Sequence, residues 1–350
     1  MAKDREIFSL VEEKEQEAAK TGRQGLIIQP GALGDCILTL PVARFLKQSL
    51  DLGTLAIMGN MDFLAAMLGR TCVDKIRSLE GAGVHRLFEA RGQFNLGDKD
   101  PLLTTFMPYS WIISFLGEAG SDFEQNLLFA ANCTHSAEVG SVRLKADEEY
   151  AGHISQFYID EVCRELPHLE REEVDLNEVL ISAGHNDLVK AQMLLDKLGV
   201  DEGKFVLMAP GAGSVLKCWG NENFAACAKA SLDAGFTPVF VIGPAEIDRK
   251  NINTEMLGMF GPVIECPSFS ELVGLCSLCR CYLGNDSGLS HLAGAVGAQT
   301  VAVFGPTSAR RYRPLGPKVT AIEMGAEGFG QVNPEQAGLV CAKMFEQLGN

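Results

Sequence analysis

The chain has 350 residues, of which 47% are hydrophobic, and its 45 acidic against 30 basic side chains leave a formal net charge of −15. That length exceeds the size at which one hydrophobic core usually stops growing, so two domains of about 170 residues each are expected. The acidic balance argues against nucleic acid, because no basic stripe is available to neutralise backbone phosphates, and it weakens any tight docking on anionic membrane. No run of about 18 uncharged apolar residues is present, and the charged start MAKDREIFSLVEEKEQEAAK lacks the apolar segment of a secretory signal. A cytoplasmic location is therefore expected, with at most peripheral contact at the inner membrane. The eleven cysteines lie mostly inside apolar runs, which favours reduced, packed thiols over a disulfide framework.

In chain order, residues 4–20 read as an amphipathic helix with Ile7, Phe8, Leu10 and Val11 on one side, a solvated extension occupying 1–24. Gly25–Gln29 is a buried strand, followed by the loop Pro30, Gly31, Ala32, Leu33, Gly34, Asp35 and a helical run over 36–50 that Pro41 should kink or start late. Leu55–Met58 predicts a second strand, Met61–Leu68 a helix, Val84–Phe88 a third strand, and Trp111–Phe115 another apolar stretch. Short strands alternating with helices imply a parallel sheet with helices on both faces. Tyr150–Leu166 reads as a helix, and the charged stretch 167–187 is where the domain boundary falls, giving domains 25–180 and 181–350.

The second half has strands at Phe205–Ala209, Pro238–Ile242, Cys281–Leu283 and Thr300–Phe304. Its helices are one capped by Asn221 and ending at Gly235, one at Ile247–Met259, one at Ser270–Leu278 and a last one at Pro334–Leu348. Each strand is followed by a small or polar loop: Pro210–Gly213, Gly243–Glu246, Asn285–Gly288 and Gly305–Thr307. In an open parallel sheet these ends share one edge, where ligands bind. The most informative stretch is CYLGNDSGLSHLAGAVGAQTVAVFGP, residues 281–306. It reads as strand, tight loop, helix and next strand, with Asp286, Ser287 and glycine N–H groups at a helix N-terminus and His291 one turn in. Unpaired N–H donors and the positive end of the helix suit a phosphate there.

Other phosphate motifs fail on spacing. Lys217 lies near Gly211 and Gly213 but sits between Leu216 and Cys218, so the Walker pattern is absent, as is GxGxxG. Asp286, Ser287 and His291 lie within one loop and turn, the wrong geometry for a hydrolytic triad. Cys276, Cys279 and Cys281 run from a helix into a buried strand without a second ligand pair, which favours packing over metal ligation. Asp98-Lys99-Asp100 matches a two-carboxylate metal pattern but falls in a glycine-rich stretch and reads as a solvated loop; no metal ligand is assigned. In the first-domain loop, Gly31 and Gly34 permit close approach of a ligand to the backbone, and Asp35 either serves a ligand or caps the helix.

Together these loops resemble the heptosyltransferase family of bacterial lipopolysaccharide core synthesis, glycosyltransferase family 9. The matching pieces are PGALGDCILTLPVARFLK, APGAGSVLKCW, VIGPAE, GNDSGLSHLAGAVGAQTVAVFGPT and VNPEQ, in order over most of residues 25–348. The resemblance implies an α/β GT-B fold, two Rossmann-like domains with parallel sheets facing a central cleft, acceptor bound by the first and donor by the second. It also implies inverting, metal-independent transfer from an ADP-activated heptose or related sugar to a lipopolysaccharide core or other glycan acceptor, with no cofactor. By the same resemblance Asp35 matches the catalytic base and Lys217 the phosphate-binding lysine. Glu246 matches the acid that binds the donor ribose, and Asp286, Ser287, Gly288 and His291 the D[TS]GxxH element that holds the donor. Gly31, Gly34, Gly211, Gly213 and Gly305 supply loop backbone. Partners are then a nucleotide sugar and a glycolipid or oligosaccharide, with no nucleic acid. The sequence departs from the pattern at Gly220, where proline commonly follows the tryptophan, and at IEMGAEGFGQ, which replaces a cysteine-containing segment. Two alternatives stay open, a non-catalytic nucleotide-sugar-binding scaffold of the same fold and a GT-B sugar-nucleotide epimerase.

Overall fold

The computed structural model of the protein describes residues 22–133 and 136–348. The helix expected at residues 4–20 lies outside them. The described residues divide into two compact units. The first runs to Gly31 and takes Thr39–Asp147 and Ser155–Glu173; the second holds Ala32–Leu38, Glu148–Ile154 and everything from Val174.

The first unit is built on a parallel sheet of β1 (Gln24–Ile28), β2 (Thr54–Gly59), β3 (Lys75–Ser78), β4 (Trp111–Ser114) and β5 (Glu138–Ser141), in the order β3-β2-β1-β4-β5. After β1 the chain enters α1 (Leu33–Leu38), breaks at Thr39 and resumes as α2 (Leu40–Ser49), with Pro41 in its first turn. Proline has no N–H to lose there, so the break expected around Pro41 falls just before it. Buried Gln29 ties the end of β1 to this break, donating to Thr39 Oγ1 at 2.7 Å and accepting from the Gly31 N–H at 2.9 Å. Then come α3 (Met61–Leu64), α4 (Pro101–Phe106), α5 (Asp122–Ala131) and α6 (Ile154–Glu165).

Two expectations are corrected in this unit. Val84–Phe88 is a 3-10 turn: Gly83, at φ +68°, turns the chain into it, and Val84 and Leu87 are buried three residues apart, the spacing of a helical turn. The third strand is Lys75–Ser78, a polar edge strand with Ile76 as its single large apolar residue, too weak a pattern to stand out. Asp100 is no solvated loop residue either. Its Oδ1 accepts from the Leu102 N–H at the start of α4, and its Oδ2 pairs with Arg86 at 2.6 Å.

The second unit opens with α7 (His185–Leu198) and carries β6 (Phe205–Ala209), β7 (Thr237–Ile242), β8 (Val263–Glu265), β9 (Cys281–Asn285), β10 (Thr300–Phe304) and β11 (Val319–Glu323), all parallel, in the order β11-β10-β9-β6-β7-β8. Both faces are covered, so the strands read as continuous apolar runs. Val206, Met208, Phe240, Leu283 and Val301 pack into one core with Trp219 and Phe224, while Phe205, Leu207, Val239, Val241 and Tyr282 pack into the other with Leu195 and Leu275. The connecting helices are α8 (Asn221–Asp233), α9 (Pro244–Arg249), α10 (Thr254–Gly258), α11 (Phe269–Leu278), α12 (Gly288–Val296), α13 (Ala309–Tyr312) and the C-terminal α14 (Pro334–Leu348).

Here too the boundaries differ from expectation. The helix read at Ile247–Met259 is two short ones, because Lys250 turns left-handed at φ 53° and ends α9. Gly220, not Asn221, occupies the cap position of α8; Asn221 is its first helical residue, and its Oδ1 accepts from the Asn253 N–H. All eleven cysteines are free thiols. Cys276 and Cys281 are buried, and burial pushes both up to about 12, so the thiols stay protonated where they pack.

The tightest helix contact in this unit is α11 on α7. A Cβ added at Gly274 would lie 2.2 Å from the Asp187 carbonyl oxygen and 2.6 Å from Ala191 Cβ. Gly274→Ala is therefore expected to cost about 1–3 kcal/mol through overpacking, read as a lower midpoint in urea unfolding at unchanged slope.

Candidate functional site

In the second sheet the strand order reverses between β6 and β9. From there β7 and β8 step one way and β10 and β11 the other. The loops leaving the carboxyl ends of β6 and β9 part at such a point and leave a crevice, the usual ligand position in this architecture. The crevice is wired by Asn285, the last residue of β9, which is fully buried. Its Nδ2 donates to the Pro210 carbonyl at 2.7 Å and the Gly211 carbonyl at 3.2 Å, and its Oδ1 accepts from the Trp219 N–H at 3.0 Å. One side chain thus fixes both ends of the loop that carries Lys217. Arg249 holds the middle, donating to the Ala212 and Gly213 carbonyls at 2.8 and 2.7 Å.

Asp286 comes next, 5% exposed. Its Oδ2 accepts from Lys217 Nζ and from Thr307 Oγ1, each at 2.6 Å, and its Oδ1 lies 3.8 Å from His291 Nε2. Burial pushes this carboxyl up, but the opposing pull of His291 and Lys217 is greater, and the group is held well below the usual carboxylate range. An ionised carboxylate repels a diphosphate. Within the crevice Asp286 gathers Lys217, Thr307 and His291 around its two oxygens.

Ser287 caps α12, its Oγ accepting from the Ser290 N–H. His291 is 4% exposed, and its Nδ1 is buried with no hydrogen-bond partner among the described residues. A buried ring nitrogen left unpaired costs roughly 1–3 kcal/mol, and a ligand oxygen or hydroxyl would relieve that cost. Glu246, half-buried in α9, accepts from the Gly243 N–H through Oε2 at 2.9 Å and lies across Gly211, where a Cβ would come within 2.5 Å of its Oε1. Gly211 is thus needed for Glu246 to cross the β6 loop.

The Asp35 loop belongs to this same unit. Helix α1 packs on α12: a Cβ at Gly34 would lie 3.0 Å from His291 Cδ2, and one at Gly288 would lie 3.0 Å from Leu33 Cβ. Asp35 Oδ2 accepts from the Ala32 N–H at 3.0 Å, the reciprocal half of a capping box. The carboxylate therefore caps α1 and also lies on the element that touches His291. Gly305 is pressed against Phe329, whereas Gly213 has open space around its Cα and contributes its carbonyl to Arg249. Beside the loop a cavity of about 570 Å³ is lined by Pro210, Cys218, Asn251, Pro306 and Phe329 among others.

Four contributors were not singled out from the sequence. Asn285 and Thr307 stood inside recognised loops, but their partners are remote in the chain. Arg249 read as an ordinary helix-end charge. His153 gave no signal at all: it is buried, with Nε2 3.0 Å from the Arg313 carbonyl. The carbonyl can only accept, so Nε2 carries the proton. Burial, aided by the charges of His291 and Arg313, lowers His153 to about 4.

Two outcomes follow. Asn285→Ala strands the Trp219 N–H and the Pro210 carbonyl, at roughly 1–3 kcal/mol for each buried group left unpaired, so its unfolding free energy should fall by at least that much while Asn285→Gln restores little. For His153, the folded value lies below the ordinary imidazole value of 6.5. Between those two values the unfolded chain binds a proton that the folded chain refuses, so stability declines as pH falls through that window. His153→Gln, which keeps a donor for the carbonyl, should flatten the decline by about 1.4 kcal/mol per pH unit, measured by denaturant unfolding across a pH series.

Comparison with known proteins gives this arrangement a family. Residues 162–336 match the model of glycosyltransferase family 9 (heptosyltransferase). Lipopolysaccharide heptosyltransferase 3 of Escherichia coli is 27% identical over 192 residues, 50% of this chain and 56% of that protein. Lipopolysaccharide heptosyltransferase 2 of E. coli K12 is 28% identical over 113 residues, 31% of this chain and 32% of that one. The aligned part thus spans about half the length of these curated relatives or less. Among solved structures, a glycosyl transferase family 9 protein from Veillonella parvula superposes with a TM-score of 0.69 at 15% identity, covering 93% of this chain and 97% of its own. The E. coli ADP-heptose lps heptosyltransferase II superposes at 0.65 and 18% identity, covering 93% and 98%. At such identities these structures show the fold alone, and it is the α/β GT-B fold with two parallel sheets. The family match covers half of the chain and includes the loops that carry Lys217, Glu246, Asp286 and His291, and on it the protein belongs to glycosyltransferase family 9, the heptosyltransferases.

Proposed function

We propose that the protein is a glycosyltransferase that moves a heptose or related sugar from an ADP-activated donor to a lipopolysaccharide core or other glycan acceptor. On this reading transfer is inverting and metal-independent, the second unit binds the donor, and the first binds the acceptor. The observation that carries it is the cluster at the β6/β9 crevice: Lys217 and His291 held around Asp286, the capped N-terminus of α12, and a buried His291 Nδ1 with no partner among the described residues. A cation and N–H dipoles aimed at one point suit a departing diphosphate. Relatives named lipopolysaccharide heptosyltransferases, and a structural neighbour, E. coli heptosyltransferase WaaC with ADP (TM-score 0.64), support the choice of nucleotide and sugar.

In the proposed reaction the diphosphate lies against Lys217 and the N–H groups of Ser287 and Gly288, and Glu246 Oε1, the oxygen not used in capping, takes a ribose hydroxyl. Asp35 removes the proton from an acceptor hydroxyl as its oxygen attacks the anomeric carbon on the face opposite the diphosphate. The bond from that carbon to the diphosphate oxygen breaks, and ADP leaves with its charge balanced by Lys217 and the helix terminus. Among the described residues no helix is long and apolar enough to cross a membrane, and the proposal places the enzyme in the cytoplasm. Because the Asp35 carboxylate also caps α1, a binding scaffold is the second reading.

The test is a thermal-shift screen of nucleotide sugars followed by a transfer assay with core oligosaccharide. ADP and ADP-heptose should stabilise the protein, by about 2.7 kcal/mol at a hundredfold excess over Kd; stabilisation by a different nucleotide instead would sink the donor assignment. Lys217→Ala should weaken ADP binding by roughly 1.5–3 kcal/mol at little cost in stability. Asp35→Asn should keep donor binding and lose about 10²–10⁴-fold in turnover, and wild-type turnover in that variant would return Asp35 to a capping role.

A further inference from the structure

Two of the free thiols meet. Cys227 in α8 and Cys341 in α14 stand 114 positions apart in the chain, and their Sγ atoms lie 3.4 Å from each other. A disulfide holds its sulfurs about 2.0 Å apart, so bonding asks the pair to close by little more than about 1 Å. The packing around them already sets the two helices side by side. Phe224 and Ala228 of α8 share a core with Ala337, Val340 and Met344 of α14, and Ser231 Oγ lies 3.9 Å from Met344 Sδ.

The two sulfurs differ in access and acidity. Cys227 is fully buried, whereas Cys341 is half-buried, so an oxidant in solution reaches Cys341 first. The hydrogen bond to Cys227 holds Cys341 below the ordinary thiol value, while the same contact and burial push Cys227 up. An accessible sulfur with thiolate character and a buried thiol beside it to resolve the first adduct is the arrangement of a redox-sensitive pair.

Both helices also reach the end of the loop that carries Lys217. Asn223, one turn before Cys227, donates to the Trp219 carbonyl at 2.6 Å and to the Gln331 carbonyl at 2.9 Å, and it accepts from the Asn333 N–H at 3.0 Å. Gln336, in the first turn of α14, accepts from Trp219 Nε1 at 3.3 Å. We propose that Cys227 and Cys341 form a reversible disulfide that fastens α14 to α8 behind the Lys217 loop. With glutathione disulfide as the oxidant, the Cys341 thiolate attacks one of its sulfurs. The S–S bond of the oxidant breaks, and one glutathione leaves as a thiolate that takes up the proton Cys341 gave up. Cys227 then loses its proton and attacks Cys341 Sγ; the Cys227–Cys341 bond forms, the mixed disulfide breaks, and the second glutathione leaves with that proton. Two electrons pass from the protein thiols to the oxidant, whose halves both depart as thiols.

The experiment treats the full chain with glutathione disulfide, blocks the remaining thiols with an alkylating reagent and maps the cysteines by non-reducing peptide mass spectrometry, with amide hydrogen exchange read over α14. A peptide pair joined through Cys227 and Cys341 is expected, released by dithiothreitol, with exchange over α14 slowed by about tenfold or more. Cys227→Ser should stop at a glutathione adduct on Cys341. Cys341→Ser should leave Cys227 without an adduct and make α14 exchange indifferent to the oxidant. Three results on the treated wild-type chain would overturn the proposal: both thiols alkylated, either one joined to a different cysteine, or a Cys227–Cys341 bond that leaves α14 exchange unchanged. These are read whether or not a substituted chain folds. A glutathione adduct on Cys227 in folded Cys341→Ser would overturn it as well.

Discussion

The second unit depends on keeping one carboxylate ionised where water scarcely reaches it. Asp286 is 5% exposed, and desolvation alone would favour its neutral form. It stays charged because Lys217 and Thr307, from loops distant in the chain, and His291, one turn into α12, converge on its two oxygens. Removing any one of them leaves a buried charge less compensated, so the loops after β6, β9 and β10 are bound to hold one geometry. That geometry also suits the proposed donor, since a ligand diphosphate would compete for Lys217 from a position the carboxylate has already fixed.

Asn285 does for the backbone what Asp286 does for charge. It sits one residue earlier, fully buried, and satisfies both ends of the 210–219 loop with a single amide. The pair explains why a strand end and a helix start are joined so tightly in NDSG. Asn285 faces into the β6 loop, Asp286 faces Lys217 and His291, Ser287 turns back to cap, and Gly288 lets α1 come close. Close approach of α1 carries Asp35 toward the same helix and gives Gly34 and Gly288 a packing reason to be glycine. Whether that carboxylate is also a base is a question of reaction chemistry, and the proposed substitution asks it.

Charge is distributed against the composition. In a protein with fifteen more acidic than basic side chains, Lys217 and His291 face one buried carboxylate in the second unit. Elsewhere arginines are absorbed into carboxylate networks, as Arg143 and Arg164 are by Glu161.

Much of this was legible in the sequence. The buried strands of the second sheet announced themselves as short apolar runs, and Phe205–Ala209, Thr300–Phe304 and Pro334–Leu348 fall where periodicity put them. The loop residues after those strands marked the ligand edge because small and charged residues at strand ends have few other reasons to recur. The sequence alone could not locate β3, whose polar edge pattern resembles a loop, or stop α9 at Lys250, since a left-handed lysine leaves no compositional trace. Nor could it show that Asp286 draws Lys217, Thr307 and His291 together, that Asn285 and Arg249 pin the β6 loop, or that buried His153 rests on a carbonyl 160 positions away. Local spacing encodes elements because side-chain period follows backbone geometry. Long-range pairing, and with it the charge state and partners of each buried group, is decided only when the tertiary fold removes water and chooses what replaces it.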